Sequence, residues 1–246
     1  MNCMITGVSR GIGRALAAEL LAQGHAVWGL SRTAAACPVP AAAERYRHST
    51  CDLGSAEDRR RTAREMDAAG YRPDAVILNA AVEYEEDLNA MAWDQLQAVL
   101  RTNVEGALFW VAHWLDRQPA RPVQFIGLSS LLALWPDTAC PAYCASKAAL
   151  SMAFRALRLR HRGRAAVFKL LVLGPVQTGI NPRFAVNGPP ARGVVRPEAV
   201  ARHLAKSVLP GRRFTYYYPW TASLVCRFGR WLPDTWFERL TRPFRR

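Results

Sequence analysis

The sequence predicts an α/β fold, a doubly wound parallel sheet covered by helices on both faces. Two observations predict it. Short, continuously apolar runs alternate with longer runs of helical periodicity from Met1 to Val208, and strands joined through helices form parallel sheets buried on both sides. The candidate motifs also fall at strand ends, where the ligand cleft of such a sheet opens.

Each element has its own reason. Met1–Thr6 is short and apolar and reads as the first strand. Ile12–Gln23 sets Ile12, Leu16, Leu20 and Leu21 on one side of a helix. Gly24 ends it, as glycine commonly does just past a helix. His25–Ser31 is the second strand and Tyr46–Ser49 the third. Ser55 caps a helix over Ala56–Ala69 that Gly70 stops. Asp74–Asn79 is a buried strand, Trp93–Leu115 a long helix, and Pro122–Ser129 a strand. Tyr143–Arg160 is helical and Ala165–Leu173 is a strand. From Thr178 to Pro197 the pattern gives way to Gly, Pro and Asn, a loop expected over the cleft; Gly179–Gly193 should set substrate choice. Pro197–Val208 is a last helix. The chain divides into a domain over residues 1–210 and an extension over residues 211–246.

The 246 residues suffice for one such domain. The formal net charge of +14 comes almost wholly from arginine, and the pI is near 10.3. That balance suits anionic partners, such as a phosphorylated cofactor or an acidic lipid surface, and equally a solvated basic surface. No helix-turn-helix, zinc-finger or RNA-binding signature occurs, so no nucleic-acid partner is expected. Cys3, Cys37, Cys51, Cys140, Cys144 and Cys226 form no CxxC pair and have no histidine cluster beside them. No metal site is expected, and the six read as reduced thiols of a cytoplasmic protein. Cys140 and Cys144 flank Tyr143. No signal peptide and no run of about 18 apolar residues is present, so no membrane span is expected.

The first strand runs into Thr6-Gly7-Val8-Ser9-Arg10-Gly11-Ile12-Gly13 and then a helix. Glycines let the backbone turn tightly and approach a ligand. The helix amino terminus offers unpaired N–H groups and a positive dipole end to a pyrophosphate. Spaced GxxxGxG, opening a helix after the first strand, this turn resembles that of the short-chain dehydrogenase/reductase family. The similarity covers about residues 1–208, with later motifs in the family's order, and implies a Rossmann-type fold.

The resemblance assigns the rest of the cofactor site. NAD-binding members end the second strand with an acid for the ribose 2′-hydroxyl. Here it ends Gly29-Leu30-Ser31-Arg32, without an acid. Arginine matches a 2′-phosphate through parallel charge-assisted bonds, and Arg10 supplies a second positive charge, so the expected cofactor is NADP(H). Asp52-Leu53 resembles the family's adenine-contacting pair. Asn79-Ala80-Ala81-Val82 resembles its Asn-Ala-Gly turn, with Ala81 in place of glycine, a change expected to shift the backbone there. Leu173-Gly174-Pro175-Val176-Gln177-Thr178 resembles the segment that holds the nicotinamide amide through the Val176 backbone and Thr178, with Leu173 where the family has proline.

Tyr143-Cys144-Ala145-Ser146-Lys147 matches YxxxK, and residues four apart on a helix share a face. An ammonium nearby favours phenolate and is expected to lower the tyrosine's pKa. The phenol then gives a proton to a carbonyl oxygen as hydride arrives, or takes one in reverse. Ser130 lies 13 residues before Tyr143, the family's spacing for the serine that bonds the substrate oxygen. Ser129, its neighbour, is the alternative that spacing disfavours. Asn103 lies 27 residues before Ser130, where the family has an asparagine holding a water beside the lysine. Asn103, Ser130, Tyr143 and Lys147 are the expected catalytic set, and Tyr143 and Lys147 are expected to contact the cofactor as well. They favour an NADP(H)-dependent reductase of an apolar aldehyde or ketone over a catalytically idle NADP-binding sensor or scaffold.

The chain lacks the last strand and glycine pair of many members. It runs Phe214-Thr215-Tyr216-Tyr217-Tyr218-Pro219-Trp220, then sets Leu224, Phe228, Trp231 and Leu232 at helical spacing, with Arg227 and Arg230 off that stripe. The pattern resembles the carboxyl ends of the retinol-dehydrogenase-like and bacterial aldehyde-reductase branch, in which a Tyr-x-x-Pro strand is followed by short apolar-basic helices. An amphipathic segment with Trp and Phe opposite Arg suits peripheral contact with the inner face of a membrane; packing on the domain or on a partner subunit is the competing reading. The family pairs the Trp93–Leu115 and Tyr143–Arg160 helices across a two-fold axis, so a homodimer or tetramer is expected.

Overall fold

Seven parallel strands form one sheet in the order β3-β2-β1-β4-β5-β6-β7 in a computed structural model. It describes residues 1–85, 92–117, 122–163, 166–180, 190, 193–221 and 224. The strands are β1 (Asn2–Thr6), β2 (Ala26–Ser31), β3 (Tyr46–Thr50), β4 (Ala75–Leu78), β5 (Val123–Ser130), β6 (Ala166–Leu173) and β7 (Thr215–Tyr218). The helices are α1 (Gly11–Ala22), α2 (Ala56–Ala68), α3 (Trp93–Leu100), α4 (Gly106–Asp116), α5 (Pro141–Arg160) and α6 (Pro197–His203).

Side chains alternate across each strand, so a parallel strand must be apolar on both faces. In β1, Cys3 and Ile5 pack with Leu16, Leu20, Val200 and Leu204 of the α1 and α6 layer. Met4 points the other way, among Met66, Trp110 and Trp114. The Trp114 indole N–H donates to the Met4 sulfur at 3.1 Å. Strand order reverses at β1. The chain leaves it for β2 and β3 on one side, and β4 to β7 stack on the other. The crevice opens between the carboxyl ends of β1 and β4, as this topology requires.

Local signals are realised where they were strongest. Ser55 caps α2, its hydroxyl accepting from the Asp58 N–H at 3.2 Å. Gly70 follows that helix at φ +64°, the left-handed region glycine favours. The expected Trp93–Leu115 helix is interrupted: α3 passes through a π-helical turn, Arg101–Glu105, into α4. The last helix likewise ends in a π-helical turn, Leu204–Val208.

The Tyr-x-x-Pro segment forms the strand that the resemblance implies, so the sheet does gain a strand here. β7 pairs with β6 in parallel register, from Leu170↔Thr215 to Leu173↔Tyr218, and carries the sheet past residue 210. β-Branched and aromatic Thr-Tyr-Tyr-Tyr supplies the strand propensity, and the edge position tolerates Pro219 directly after it.

Lys169 is a buried charge in β6. It is 2% exposed, and its ammonium donates to Gln124 Oε1 at 2.6 Å and to the Val208 and Leu209 carbonyls at 2.8 Å each. It therefore ties the end of the last helix to the sheet. Burial pushes its pKa down to about 8. The folded-state pKa lies below the unfolded value of about 10.4, so between those values the unfolded state binds more protons and stability rises with pH. Lys169→Met should lose that rise. It should also be less stable by about 1–3 kcal/mol for each carbonyl left unpaired. Urea midpoints of both proteins between neutral pH and about pH 10 measure this window; parallel curves would contradict it.

Candidate active site

A cleft of about 690 Å³ opens at the carboxyl ends of the strands. Gly7, Ser9, Arg10, Gly11, Ile12, Ser31, Arg32, Asp52, Leu53, Asn79, Ala80, Ser130, Tyr143, Lys147, Val176 and Thr178 line it. Of the residues singled out in the sequence, Gly13 and Asn103 do not. Both stand behind the wall and shape it.

The glycine turn is built by close approach. Gly7 has φ +79° and Gly11 φ +58°. A Cβ on Gly13 would overlap the Gly7 carbonyl oxygen, so only glycine lets the helix start so near the turn. No side chain caps α1, whose first N–H groups face the cleft side of the turn. Asn79 ties the turn to β4, its amide donating to the Thr6 and Gly7 carbonyls at 2.9 and 3.1 Å. The Thr6 hydroxyl accepts the Asn79 and Ala80 N–H groups, each at 3.0 Å. Among the described residues no side-chain-bearing residue has a positive φ, so Ala81 occupies its glycine's place in an ordinary conformation.

The second strand delivers Ser31 and Arg32 to the rim. The Ser31 hydroxyl is taken, donating to the Thr33 carbonyl and pairing with His48 Nε2, each at 2.8 Å. Arg32 and Arg10 are exposed at the same end. Asp52 closes a turn, its Oδ1 accepting from the Gly54 N–H at 2.9 Å, while Leu53 is buried beside it. Across the cleft, Val176 bridges to Val195, and the Val176 carbonyl accepts the Thr178 N–H at 2.9 Å. These residues fit a phosphorylated dinucleotide: a glycine-rich turn, an uncapped helix start and two guanidinium groups at one end.

At the other end β5 and α5 bring Ser130, Tyr143 and Lys147 together. Ser129 and Ser130 are now told apart. Ser129 is buried, its hydroxyl paired with that of Ser151 at 2.6 Å. The Ser130 hydroxyl accepts the Leu132 N–H at 3.1 Å and hydrogen-bonds the Tyr143 side chain. The Lys147 ammonium, 3% exposed, donates to the Leu128 carbonyl at 2.9 Å and lies 5.5 Å from the Tyr143 ring centroid. Burial pushes it down to about 8, against an opposing pull from Glu83.

The expected lowering of the tyrosine is corrected. Burial pushes the Tyr143 phenol well up, and the Glu83 carboxylate adds to that; the Ser130 hydrogen bond opposes them. Desolvation is the largest influence on the phenol, and Lys147 donates to the Leu128 carbonyl.

Asn103 stands against α5, next to Ser146. It is 1% exposed within the π-helical turn. Its Oδ1 accepts the Val82 N–H at 2.8 Å. Its amide donates to the Val82 carbonyl at 2.9 Å and to the Ser146 hydroxyl at 3.0 Å. The side chain thus clamps the segment after β4 onto α5, beside Lys147.

Sequence reasoning passed over two acids, Glu83 and Asp137, that line the cleft near Tyr143. The signal for Glu83 was its place four residues after Asn79, at the start of a loop leaving a strand's carboxyl end. The substrate loop expected over 179–193 lies mostly outside the described residues, as do the extension after Leu224 and Cys226.

The short chain dehydrogenase family model matches residues 2–186. An uncharacterized oxidoreductase of Myxococcus xanthus is 26% identical over 250 residues, covering 99% of this chain and 97% of its own. A short chain dehydrogenase from Burkholderia cenocepacia, solved in complex with NADP, superposes with a TM-score of 0.80 at 19% identity, covering 97% of this chain and 96% of that one. One from Sphingobium yanoikuyae, in complex with NADPH, gives a TM-score of 0.76 at 18% identity over 93% of this chain and 94% of that one. With its seven-stranded parallel sheet and the family model's match over most of its length, the chain belongs to the short-chain dehydrogenase/reductase family of oxidoreductases.

Proposed function

We propose that the protein is an NADP(H)-dependent carbonyl reductase that converts an apolar aldehyde or ketone to an alcohol, with Tyr143 as its proton donor. One observation carries the reading: a tyrosine beside Ser130 and backed by a buried lysine, in the cleft that opens at the glycine turn. NADP in the Burkholderia structure and NADPH in the Sphingobium one support the choice of cofactor, as do Arg10, Arg32 and the missing acid at the end of β2.

When bound, the reduced nicotinamide supplies the hydride. Ser130 orients the carbonyl oxygen by donating to it. The Tyr143 phenol gives that oxygen its proton as negative charge grows there. Lys147 stands close enough to the ring to stabilise the phenolate left behind. Asn103 acts at one remove, holding the Val82 segment and Ser146 so that α5 keeps its register. Leu131, Leu132 and Ile180 line the cleft, which supports an apolar substrate. NADPH oxidation against a panel of aldehydes, ketones and acyl thioesters tests the proposal. Tight NADPH binding without oxidation by any of them would favour a sensor or scaffold instead.

The protein is further proposed to be a homo-oligomer. Trp93 on α3 and Met152 and Leu159 on α5 are 65%, 63% and 71% exposed, apolar groups a monomer leaves in water. Sedimentation at micromolar concentration should give a dimer or tetramer. Met152→Glu with Leu159→Glu should shift it toward monomer, and a wild-type monomer would contradict the proposal. Among the described residues no helix is long and apolar enough to cross a membrane. Peripheral contact through the basic aromatic extension stays a proposal, tested by co-sedimenting the protein with anionic vesicles.

A further inference from the structure

Tyr143 sits between two thiols. Cys140 is the N-cap of α5 and Cys144 lies one turn on, its N–H donating to the Cys140 carbonyl at 3.1 Å. The side chains meet as well, the two thiols lying close enough to interact. The Asp137 N–H reaches the Cys144 sulfur at 3.4 Å. Cys140 is buried, 2% exposed, whereas Cys144 is half-buried. Residues one helical turn apart have Cα atoms about 6 Å apart, inside the range a disulfide spans.

The geometry points to an oxidisable dithiol site: Cys144 is the thiol that a hydroperoxide attacks, Cys140 resolves it to a disulfide, and the closed bridge takes Tyr143 out of register. The chemistry balances. The Cys144 sulfur, as thiolate, attacks one peroxide oxygen. An S–O bond forms, the O–O bond breaks, and the departing oxide takes up the thiol's proton, leaving a sulfenic acid. The Cys140 sulfur then attacks the Cys144 sulfur. An S–S bond forms, the S–O bond breaks, and hydroxide leaves with the Cys140 proton as water. Two thiols lose two electrons and one peroxide gains them.

Exposure and hydrogen bonding assign the two roles: Cys144 is half-buried and its sulfur accepts the Asp137 N–H, whereas Cys140 is buried. The contact with Cys140 and then the Asp137 N–H hold the Cys144 thiol below its usual value, despite burial. The start of a helix favours an anion there as well. The same contact, with burial, pushes Cys140 up. Cys3 and Cys51, elsewhere in the core, are raised by burial to about 12 and about 11, so neither competes. Bridging draws the first turn of α5 together by on the order of 1 Å. A displacement of that size at a reacting group can cost about a hundredfold in rate.

The site's effect on turnover rests on the reading of Tyr143 as proton donor, so the test has two readouts. Full-length protein with NADP⁺ is treated with hydrogen peroxide and the peptide spanning both cysteines is weighed. It should lose about 2 Da, the mass of two hydrogens, and regain it with dithiothreitol. Cys140→Ser should show no such loss, and its Cys144 sulfenic acid should be captured by dimedone. Carbonyl reduction by the wild type should fall about a hundredfold on oxidation and return on reduction, while the Cys140→Ser/Cys144→Ser double variant keeps its rate through the treatment. A wild-type peptide of unchanged mass overturns the dithiol, whatever the activity. A bridged protein with undiminished turnover overturns its coupling to Tyr143. Should no carbonyl be reduced at all, the mass readout decides the dithiol alone, and only the reading of function fails.

Discussion

Tyr143→Phe should lower carbonyl reduction by about 10²- to 10⁴-fold, the usual cost of removing a general acid, while NADPH binding changes little. The two effects separate because the phenolic oxygen faces Ser130 at the reacting end of the cleft, whereas the glycine turn and the arginines lie at the other. The ring itself stays, so its packing beside Lys147 is kept. Turnover with the best carbonyl and fluorescence titration of NADPH measure the two quantities. Wild-type turnover in Tyr143→Phe would sink the assignment of the proton donor. The pH dependence carries a second check. Lys147 holds its proton up to about pH 8, and its charge stabilises the phenolate, so kcat/KM for reduction should fall as pH rises through that value.

Arg32→Asp should weaken NADPH by about tenfold to a hundredfold, the equivalent of the ~1.5–3 kcal/mol assigned to a hydrogen bond to a charged group. The carboxylate also repels a 2′-phosphate, while it can accept from the 2′-hydroxyl of NADH. NADH binding should therefore hold or improve. Arg10, exposed on the same rim, keeps the variant from losing NADPH outright. Equal affinity of the wild type for NADH and NADPH would remove the argument from Ser31-Arg32.

Much of this was legible in the sequence because it rests on local chemistry. Gly7, Gly11 and Gly13 announce a turn that no side chain could occupy. Tyr143 and Lys147 share a helix face by their spacing alone. Ser55 and Gly70 mark the ends of α2 through their own conformational preferences. What stayed hidden depends on contacts through space. The strand at Tyr216, Tyr217 and Tyr218 was legible only through the Tyr-x-x-Pro resemblance, and its partner, β6, was not. The π-helical turn at Asn103 adds one residue to a helix, a change that hydrophobic periodicity does not report. Glu83 acts on a tyrosine 60 residues away, and burial reverses the effect that Lys147 alone would have on that phenol. Lys169 looks like an interruption in an apolar strand until the Val208 and Leu209 carbonyls are seen above it. Cys140 and Cys144 were visible as a four-residue pair, but their contact follows from Cys140 being the helix cap.

The central claim is that hydride passes from NADPH to a carbonyl in this cleft. Its most direct test is isotope transfer, with NADPH carrying deuterium at both C4 positions incubated with the protein and its best carbonyl substrate. The account predicts an alcohol one mass unit heavier, with deuterium on the carbinol carbon, formed by the wild type and nearly lost in Tyr143→Phe. NADPH bound in the cleft with no deuterium in any product would contradict it.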